Sequence, residues 1–161
     1  MSQNPAFAPA LDAVDAAIVS ELLKDGRASV SAIASNVHIS RAHAYQRIAS
    51  LRERGVITGY TATVNHAAMG LRSSAYVTLK LRQHSWRALQ ERLSLIPEVH
   101  HFALVGGTFD VMLLVRAADN EALRRVVFEV LQPMPEVMDT QTHLIFEDLS
   151  LIHISERAGK A

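Results

Sequence analysis

The sequence contains no cysteine and has no net charge, because 16 lysine and arginine residues balance 16 aspartate and glutamate residues. Without thiols, the chain cannot form a disulfide framework or a thiolate metal site, and we expect no cofactor. No apolar run approaches the roughly 20 residues that a membrane-spanning helix needs. Residues 1–10 lack the basic start and the long apolar core of a secretory signal, so we expect a mobile tail and a cytoplasmic protein.

The neutral charge balance matters because many DNA-binding proteins carry a basic surplus. In this chain the surplus is local, since four arginines between His38 and Arg54 accompany a single acid, Glu53. A patch of this size favours DNA contact by a dimer, because two copies double the number of phosphate contacts.

The segment Ser29–Ile57 has the pattern of a helix-turn-helix. Ser29 and Ser40 are suited to cap two successive helices, and the turn between these helices falls at His38. Glycine is common in such a turn, so we expect His38 to adopt a less comfortable backbone conformation. Together with an amphipathic helix that precedes it, this pattern predicts a winged-type helix-turn-helix domain over residues 11–58.

The second of these helices is the predicted recognition helix, which fits the major groove of double-stranded DNA. Its apolar stripe includes Ala44 and Leu51, and Tyr45 is expected to pack near that stripe. Arg41 is preferred for contact with base edges, whereas Arg47 is equally suited to pair with an acid of the first helix. The predicted DNA-contacting residues are Ser29, Ser40, Arg41, His43, Gln46, Arg47, Ser50 and Arg52.

Residues 59–72 are predicted to form a linker with a short strand at Tyr60–Val64, because this stretch is rich in β-branched and aromatic side chains. Residues 73–154 then follow strand and helix patterns in the order of a ferredoxin-like βαββαβ domain, and residues 155–161 form a tail. The predicted fold class is therefore α+β, with an N-terminal helix-turn-helix domain, a linker strand and a C-terminal ferredoxin-like domain.

The two helices of a ferredoxin-like domain cover one face of the sheet and leave the other face open. Ser85 and Asp119 are expected to cap these helices, and the second helix is expected to bury Val127 and Val130. A second subunit is expected to cover the open face, which predicts a homodimer. The side chains assigned to that face are Tyr76, Thr78, Phe102 and Leu104.

Four motifs, taken in order, resemble the Lrp/AsnC family of bacterial and archaeal transcription regulators. They are the first helix LDAVDAAIVSELLKDGR, the recognition helix and its exit at Ser40–Ile57, the pair Gly59-Tyr60, and the G-x-[YF]-D loop at Gly107–Asp110. The similarity extends from Leu11 to about Phe146 and so covers both predicted domains.

The resemblance implies a sequence-specific transcriptional regulator whose dimers assemble into octamers or similar rings. It also implies that a small effector, often an amino acid, binds between dimers and modulates assembly or DNA affinity. Such a regulator is expected in the cytoplasm of a bacterium or archaeon, associated with the nucleoid. The residues that the resemblance assigns to the effector site are Gly107, Thr108, Phe109, Asp110, Thr140 and Thr142.

Three alternatives stay open at the level of sequence. Asp110 is also suited to a purely structural role as a loop cap. Siroheme decarboxylases resemble the same architecture, and such an enzyme would draw on His100, His101 and Arg116, although these form no recognisable acid–base set. A nucleoid-associated protein with weak sequence preference would show salt-dependent DNA binding with little discrimination between sequences.

Overall fold

The computed structural model describes residues 11–82 and 86–148, which fall into two compact units with the boundary between Thr63 and Val64. Within these residues, no helix has both the length and the apolar character required to cross a membrane. Several predicted features lie outside the described residues: the tails 1–10 and 155–161, the cap Ser85, and residues 149–154.

The described part of the first unit folds into three helices: α1 (Ala13–Lys24), α2 (Val30–Val37) and α3 (Arg41–Glu53). Each helix begins after a side chain that accepts a hydrogen bond from the backbone of the first turn. These side chains are Asp12, Ser29 and Ser40. Such caps satisfy N–H groups that no helical carbonyl can reach, and they confirm the predicted helix starts of the helix-turn-helix.

The core of the first unit is formed by one large side chain from each helix. Ile18, Ile33 and Leu51 are each at most 1% exposed, and Ala44 is fully buried beside them on α3. The apolar stripe predicted for the recognition helix is therefore confirmed. It holds α3 against α1 and α2, which leaves the opposite side of α3 exposed to solvent.

His38 lies in the left-handed region, with φ 58° and ψ 44°, as the sequence predicts. Its N–H donates to the Ser35 carbonyl, and the N–H of Ile39 donates to the Ala34 carbonyl. These bonds close the C-terminus of α2 and let α3 begin shortly after it. A non-glycine residue in this conformation costs roughly 1–2 kcal/mol, so the turn is held by the helices on either side of it.

The first unit has no strand among its described residues, so the predicted wing and the predicted strand at Tyr60–Val64 are wrong for the single chain. A strand needs a neighbour that pairs its backbone groups. The four described strands pair only with one another, in the second unit. The segment Tyr60–Val64 therefore has a high β-propensity but no strand to pair with in the described part of the chain.

The second unit has the predicted ferredoxin-like order. Its elements are β1 (Ser73–Leu81), α4 (Trp86–Leu93), β2 (Val99–Leu104), β3 (Val111–Ala117), α5 (Asn120–Arg125), a π-helical segment (Val126–Leu131) and β4 (Val137–Leu144). The strands form one antiparallel sheet in the order β2-β3-β1-β4. Asp119 caps α5 by accepting from the N–H of Ala122 at 2.8 Å, which confirms the predicted cap.

The π-helical segment changes which side chains of the second helix face the core. Val126, Val127 and Leu131 are buried, whereas Val130 is 39% exposed. A π-turn holds more residues than an α-turn, so it rotates the following side chains relative to an α-helix. The prediction that Val130 lies in the core is therefore wrong, while that for Val127 is confirmed.

Strand pairing decides which side chains lie on the open face of the sheet. Tyr76 and Thr78 lie there, because the alternating residues of β1 are buried under the helices. Phe102 and Leu104 do not, since they pair with Leu113 and Val111, which belong to the buried core. Their predicted place on the open face is wrong. The register of β2 shifts between Val99 and His101, an irregularity that the sequence pattern does not reveal.

Candidate nucleic-acid interface and effector site

The solvent-facing side of α3 carries most of the predicted DNA-contacting residues. Arg41, His43, Gln46 and Arg52 are exposed there, and Ser50 is half-buried. Among the described residues, no acid pairs with Arg41 or Arg52. These two guanidinium groups are therefore available to phosphates or to base edges.

Ser29 and Ser40 act first as helix caps. The Ser29 hydroxyl accepts from the N–H of Ala32 at 3.1 Å, and the Ser40 hydroxyl accepts from the N–H of His43 at 3.2 Å. A hydroxyl both donates and accepts, so each serine retains a donor that can reach a phosphate oxygen. Their predicted DNA contacts are compatible with the caps, and they stay predictions.

Arg47 is committed to the acids of the first helix. Its guanidinium bonds to the Asp12 carboxylate and to the Asp15 carboxylate at 3.2 Å, and its Nε donates to His43 Nε2 at 3.1 Å. Of the two roles predicted for Arg47, the structure therefore shows the pairing with acids of the first helix. The backbone N–H of Asp15 and the Arg47 guanidinium both hold the pKa of Asp12 below its usual range.

Asp15 is the buried centre of this ion-pair network. It is only 2% exposed, and it binds the Arg54 guanidinium as well as that of Arg47. A buried carboxylate requires such compensation, because an unpaired charge in the interior is strongly destabilising. Two of the four arginines that the sequence places in the basic patch are thus neutralised within the first unit.

Tyr45 is a surface residue, although the sequence analysis expected it to pack near the apolar stripe of α3. Its side chain is 69% exposed. Successive residues of an α-helix are separated by about 100°, so the residue after the buried Ala44 falls at the margin of the apolar stripe and beyond its cover. The ring projects from the same helix as Arg41 and Gln46, and it joins the candidate interface.

The loop between β2 and β3 carries the predicted effector residues and is held by Asp110. The Asp110 carboxylate accepts from the N–H of Leu81 at 2.7 Å, and its backbone N–H donates to the Leu79 carbonyl at 2.9 Å. The bond from Leu81 and the charge of Lys80 lower the pKa of Asp110. The structure therefore shows the loop-cap role, while an effector role for Asp110 stays a prediction. Gly107, with φ 134°, occupies a conformation that favours glycine.

Thr108 and Phe109 line a small pocket of about 110 Å³ on the open face of the sheet. Its other lining residues are Thr78, Lys80, Asp139 and Gln141. Lys80 and Asp139 face each other across β1 and β4, so the pocket presents both signs of charge. Asp139 and Gln141 were missed at the sequence level, although strand alternation places them on this side together.

The structure does not bring Thr140 and Thr142 to that pocket. They pair with Leu79 and Val77, which face the helices, so both threonines lie on the opposite face of the sheet. The Thr140 hydroxyl accepts from the Gln132 amide at 2.8 Å. The two threonines therefore stay predicted effector residues that a single chain does not assemble with Thr108 and Phe109.

A second polar cluster lies at the other end of the open face. Arg116 is 8% exposed, pairs with Asp148 at 3.1 Å and donates to the Ser74 hydroxyl at 3.2 Å. The rings of His66 and His100 pack edge to face, with 5.5 Å between their centroids. Partial burial, then the charge of Arg116, then His66 lower the pKa of His100. No group of three or more potential metal ligands occurs within residues 11–82 and 86–148.

Both units match known protein families. Residues 11–52 match the AsnC-type helix-turn-helix domain, and residues 74–150 match the Lrp/AsnC ligand-binding domain. The proline dehydrogenase transcriptional activator of Rhodobacter capsulatus is 32% identical over 140 residues, which cover 85% of this chain and 91% of that protein. The leucine-responsive regulatory protein of Escherichia coli is 32% identical over 145 residues, which cover 86% of this chain and 87% of that protein.

Solved structures with the same fold include a transcriptional regulator–L-Met complex from Neisseria meningitidis. It aligns with a TM-score of 0.82 at 21% identity, over 87% of this chain and 92% of that one. B. subtilis LrpC aligns with a TM-score of 0.76 at 25% identity, over 88% of this chain and 98% of that one. None of these matches favours the siroheme decarboxylase alternative.

A helix-turn-helix unit followed on the same chain by a ligand-binding sheet unit defines a DNA-binding transcriptional regulator, not an enzyme. The chain belongs to the Lrp/AsnC family of transcriptional regulators, whose members are homo-oligomers with an amino-acid ligand-binding domain. The resemblance that the four sequence motifs indicate is thereby confirmed.

Proposed function

We propose that residues 11–58 form the DNA-binding domain and that α3 enters the major groove of the operator. The observation that carries this proposal is the exposed side of α3, where Arg41 and Arg52 have no acidic partner among the described residues. Arg41, His43 and Gln46 contact base edges, and Tyr45 adds apolar surface beside them. Arg52, Ser29, Ser40 and Ser50 hold phosphates, which fixes the register without reading sequence.

We propose that residues 73–154 bind an amino-acid effector and join the subunits into dimers and larger rings. Two helices α3 in one dimer then read half-sites about one helical turn apart. The related E. coli protein is leucine-responsive, and the structural neighbour from N. meningitidis is an L-Met complex. Effector identity is therefore sought first among free amino acids. We also propose that the regulator acts at the nucleoid, in the cytoplasm.

The pocket beside Thr108 and Phe109 has the chemistry to hold the zwitterionic end of an amino acid. The Lys80 ammonium group suits an α-carboxylate, the Asp139 carboxylate suits an α-ammonium group, and the Phe109 ring offers an apolar surface. This pocket of about 110 Å³ lies on the open face of the sheet. A second subunit at the contact between dimers would complete it.

The first experiment is a selection of genomic DNA fragments by the purified protein at near-physiological salt, with and without a pool of amino acids. We expect a motif with dyad symmetry whose occupancy shifts with one amino acid. Random fragments would instead indicate a weakly specific architectural protein. Failure to recover any DNA would contradict the proposed mode of binding by α3.

Exchange of Asp139 tests the effector pocket once the amino acid is known. We expect Asp139→Asn to weaken the effector response by about tenfold or more, since it removes the carboxylate that suits an α-ammonium group, while DNA affinity without effector is unchanged. Thr142→Ala is the comparison variant, because Thr142 is a predicted effector residue on the same strand but on the opposite face. A response lost in Thr142→Ala and retained in Asp139→Asn would move the site to the other face of the sheet. Fluorescence anisotropy measures how operator binding by each variant depends on the effector.

A further inference from the structure

The buried carboxylate of Asp15 binds two arginines that border the recognition helix. Arg47 lies within α3 and Arg54 directly follows it, and both guanidinium groups reach Asp15. Arg47 also forms an ion pair with a second acid, Asp12. This leaves Arg41 and Arg52 as the guanidinium groups of the basic patch without an acidic partner among the described residues.

Each arginine that neutralises a DNA phosphate strengthens binding to any sequence, because it releases a condensed counterion. Phosphate contacts carry no base information, so extra ones raise the affinity for wrong sites as much as for the operator. A guanidinium held by a 2% exposed carboxylate cannot turn to a phosphate without removing part of the compensation of that buried charge. The network therefore limits the number of phosphate contacts that the first unit can make.

We propose that Asp15 is a positioning residue that sets DNA specificity by withholding Arg47 and Arg54 from the phosphates. The proposal rests on α3 being the recognition helix, as stated above. Sequence discrimination then depends on the outward side chains of α3, because the non-specific contribution to binding is kept small.

Asp15→Asn tests this role, since it keeps the shape of the side chain and removes its charge. Affinity for the selected operator and for a scrambled duplex is measured by anisotropy at several salt concentrations. We expect tighter binding to the scrambled duplex, discrimination reduced by about tenfold, and a steeper salt dependence. Arg54 loses its acidic partner in this variant, whereas Arg47 keeps Asp12, so the slope of log K against log salt should steepen by about 0.9 as Arg54 gains one phosphate.

Glu53→Gln is the matched control, because Glu53 lies at the end of α3, is exposed, and forms no ion pair within the described part of the chain. It changes the net charge by the same amount as Asp15→Asn. We expect it to alter affinity for both duplexes equally. Equal behaviour of the two variants would show that net charge alone matters and would overturn the role of Asp15.

Arg54→Gln keeps the proposal testable if Asp15→Asn does not fold, which circular dichroism and thermal unfolding would reveal. We expect its salt slope to equal that of the unmodified protein, whereas Arg52→Gln, at an exposed arginine proposed to hold a phosphate, should lower the slope by about 0.9. An equal reduction of the slope in both variants would place Arg54 on a phosphate and contradict the inference. An unmodified protein that discriminates no sequence would instead refute the proposed function itself.

Discussion

Arg41 is the first residue of α3, is exposed, and meets no acid among the described residues. A guanidinium in this place can present two N–H donors to the O6 and N7 atoms of a guanine in the major groove. Arg47, further along the same helix, cannot do so while its donors bond to Asp12, Asp15 and His43. The same residue type therefore serves two purposes on one helix.

Arg41→Ala should lower the affinity for the selected operator by about 1–3 kcal/mol, because it removes a bidentate base contact. Affinity for a scrambled duplex should fall much less. Anisotropy titrations at fixed salt measure both quantities. Arg27→Ala is the control, since Arg27 is exposed on the same unit but precedes α2. Equal affinities of the Arg41 and Arg27 variants for the operator would remove Arg41 from the set of reading residues.

At the scale of residues, the sequence predicts those features that depend on nearest neighbours. The capping serines and the strained His38 follow from short-range backbone chemistry, and both could be predicted. The pairing of Arg47 with Asp12 and Asp15 joins residues more than 30 positions apart, so the sequence leaves it as one of two alternatives. The exposure of Tyr45 could not be predicted, because helical periodicity alone does not fix how far the neighbouring helices cover the margin of an apolar stripe.

The turn between α2 and α3 stores conformational strain at a single position. His38 has a positive φ, and the bonds on either side of it fix that conformation. Glycine adopts the same conformation without the clash of a Cβ atom. The turn therefore gives up some stability at His38.

His38→Gly should raise the free energy of unfolding by about 0.5–1 kcal/mol, since relief of left-handed strain exceeds the added entropy of the unfolded chain. Ser35→Gly is the control within α2 and should lower it by about 0.5–1 kcal/mol. Chemical denaturation followed by circular dichroism measures both. A destabilised His38→Gly variant would mean that the imidazole makes a contact worth more than the strain.

The cluster at the end of the sheet should make the second unit sensitive to acid. The pKa of His100 is lowered in the folded state, so the unfolded chain binds more protons below the ordinary histidine value of 6.5. The contribution of His100 is thus fully present above pH 6.5 and decreases as pH falls through that value. Arg116 and His66 are the cationic or titratable groups that act on it, and Asp148 pairs with Arg116.

Thermal unfolding at about pH 7.5 and about pH 5.5, on either side of the ordinary histidine pKa, tests this dependence. We expect His100→Gln to reduce the loss of thermal stability between the two pH values, because glutamine does not titrate. His101→Gln is the control on the adjacent position. An identical pH dependence of the unmodified protein and the His100→Gln variant would contradict the assignment of the acid sensitivity to His100.

At the scale of the whole molecule, the open face of the sheet is incompletely covered by the described part of the chain. Tyr76 is 43% exposed there, and its partner Leu114 is only half-buried. Antiparallel sheets tolerate one solvated face, but apolar side chains on it are usual at subunit contacts. The homo-oligomeric character of the family fits this surface.

The protein should therefore sediment as a dimer or a larger assembly at micromolar concentration. Tyr76→Glu should shift it toward monomers, because a carboxylate would be buried without a partner at the contact. Sedimentation velocity measures the distribution, and Gln90→Glu is the control, because Gln90 is exposed on α4, on the other side of the sheet. A monomeric unmodified protein would contradict assembly through this face.

At this scale, the order of strands and helices could be predicted because it depends on hydrophobic periodicity along the chain. The assignment of Phe102 and Leu104 to a face could not, since one shift of register in β2 reverses the side on which later residues lie. The strand predicted at Tyr60–Val64 is absent from the described part of the chain for a related reason. Strand formation depends on a partner, and a single sequence does not state where that partner lies.

The π-helical segment has a consequence for comparing this chain with its relatives. Because Val126–Leu131 accommodates more residues per turn than an α-helix, the two ends of that helix are out of phase with each other. A relative that lacks one residue between Asp119 and Pro133 would form a continuous α-helix with the same cap and the same exit into β4. An alignment with such a relative needs a one-residue gap here, within an element where gaps are ordinarily penalised, and a structure of this chain built without that gap would misorient Phe128 and Val130.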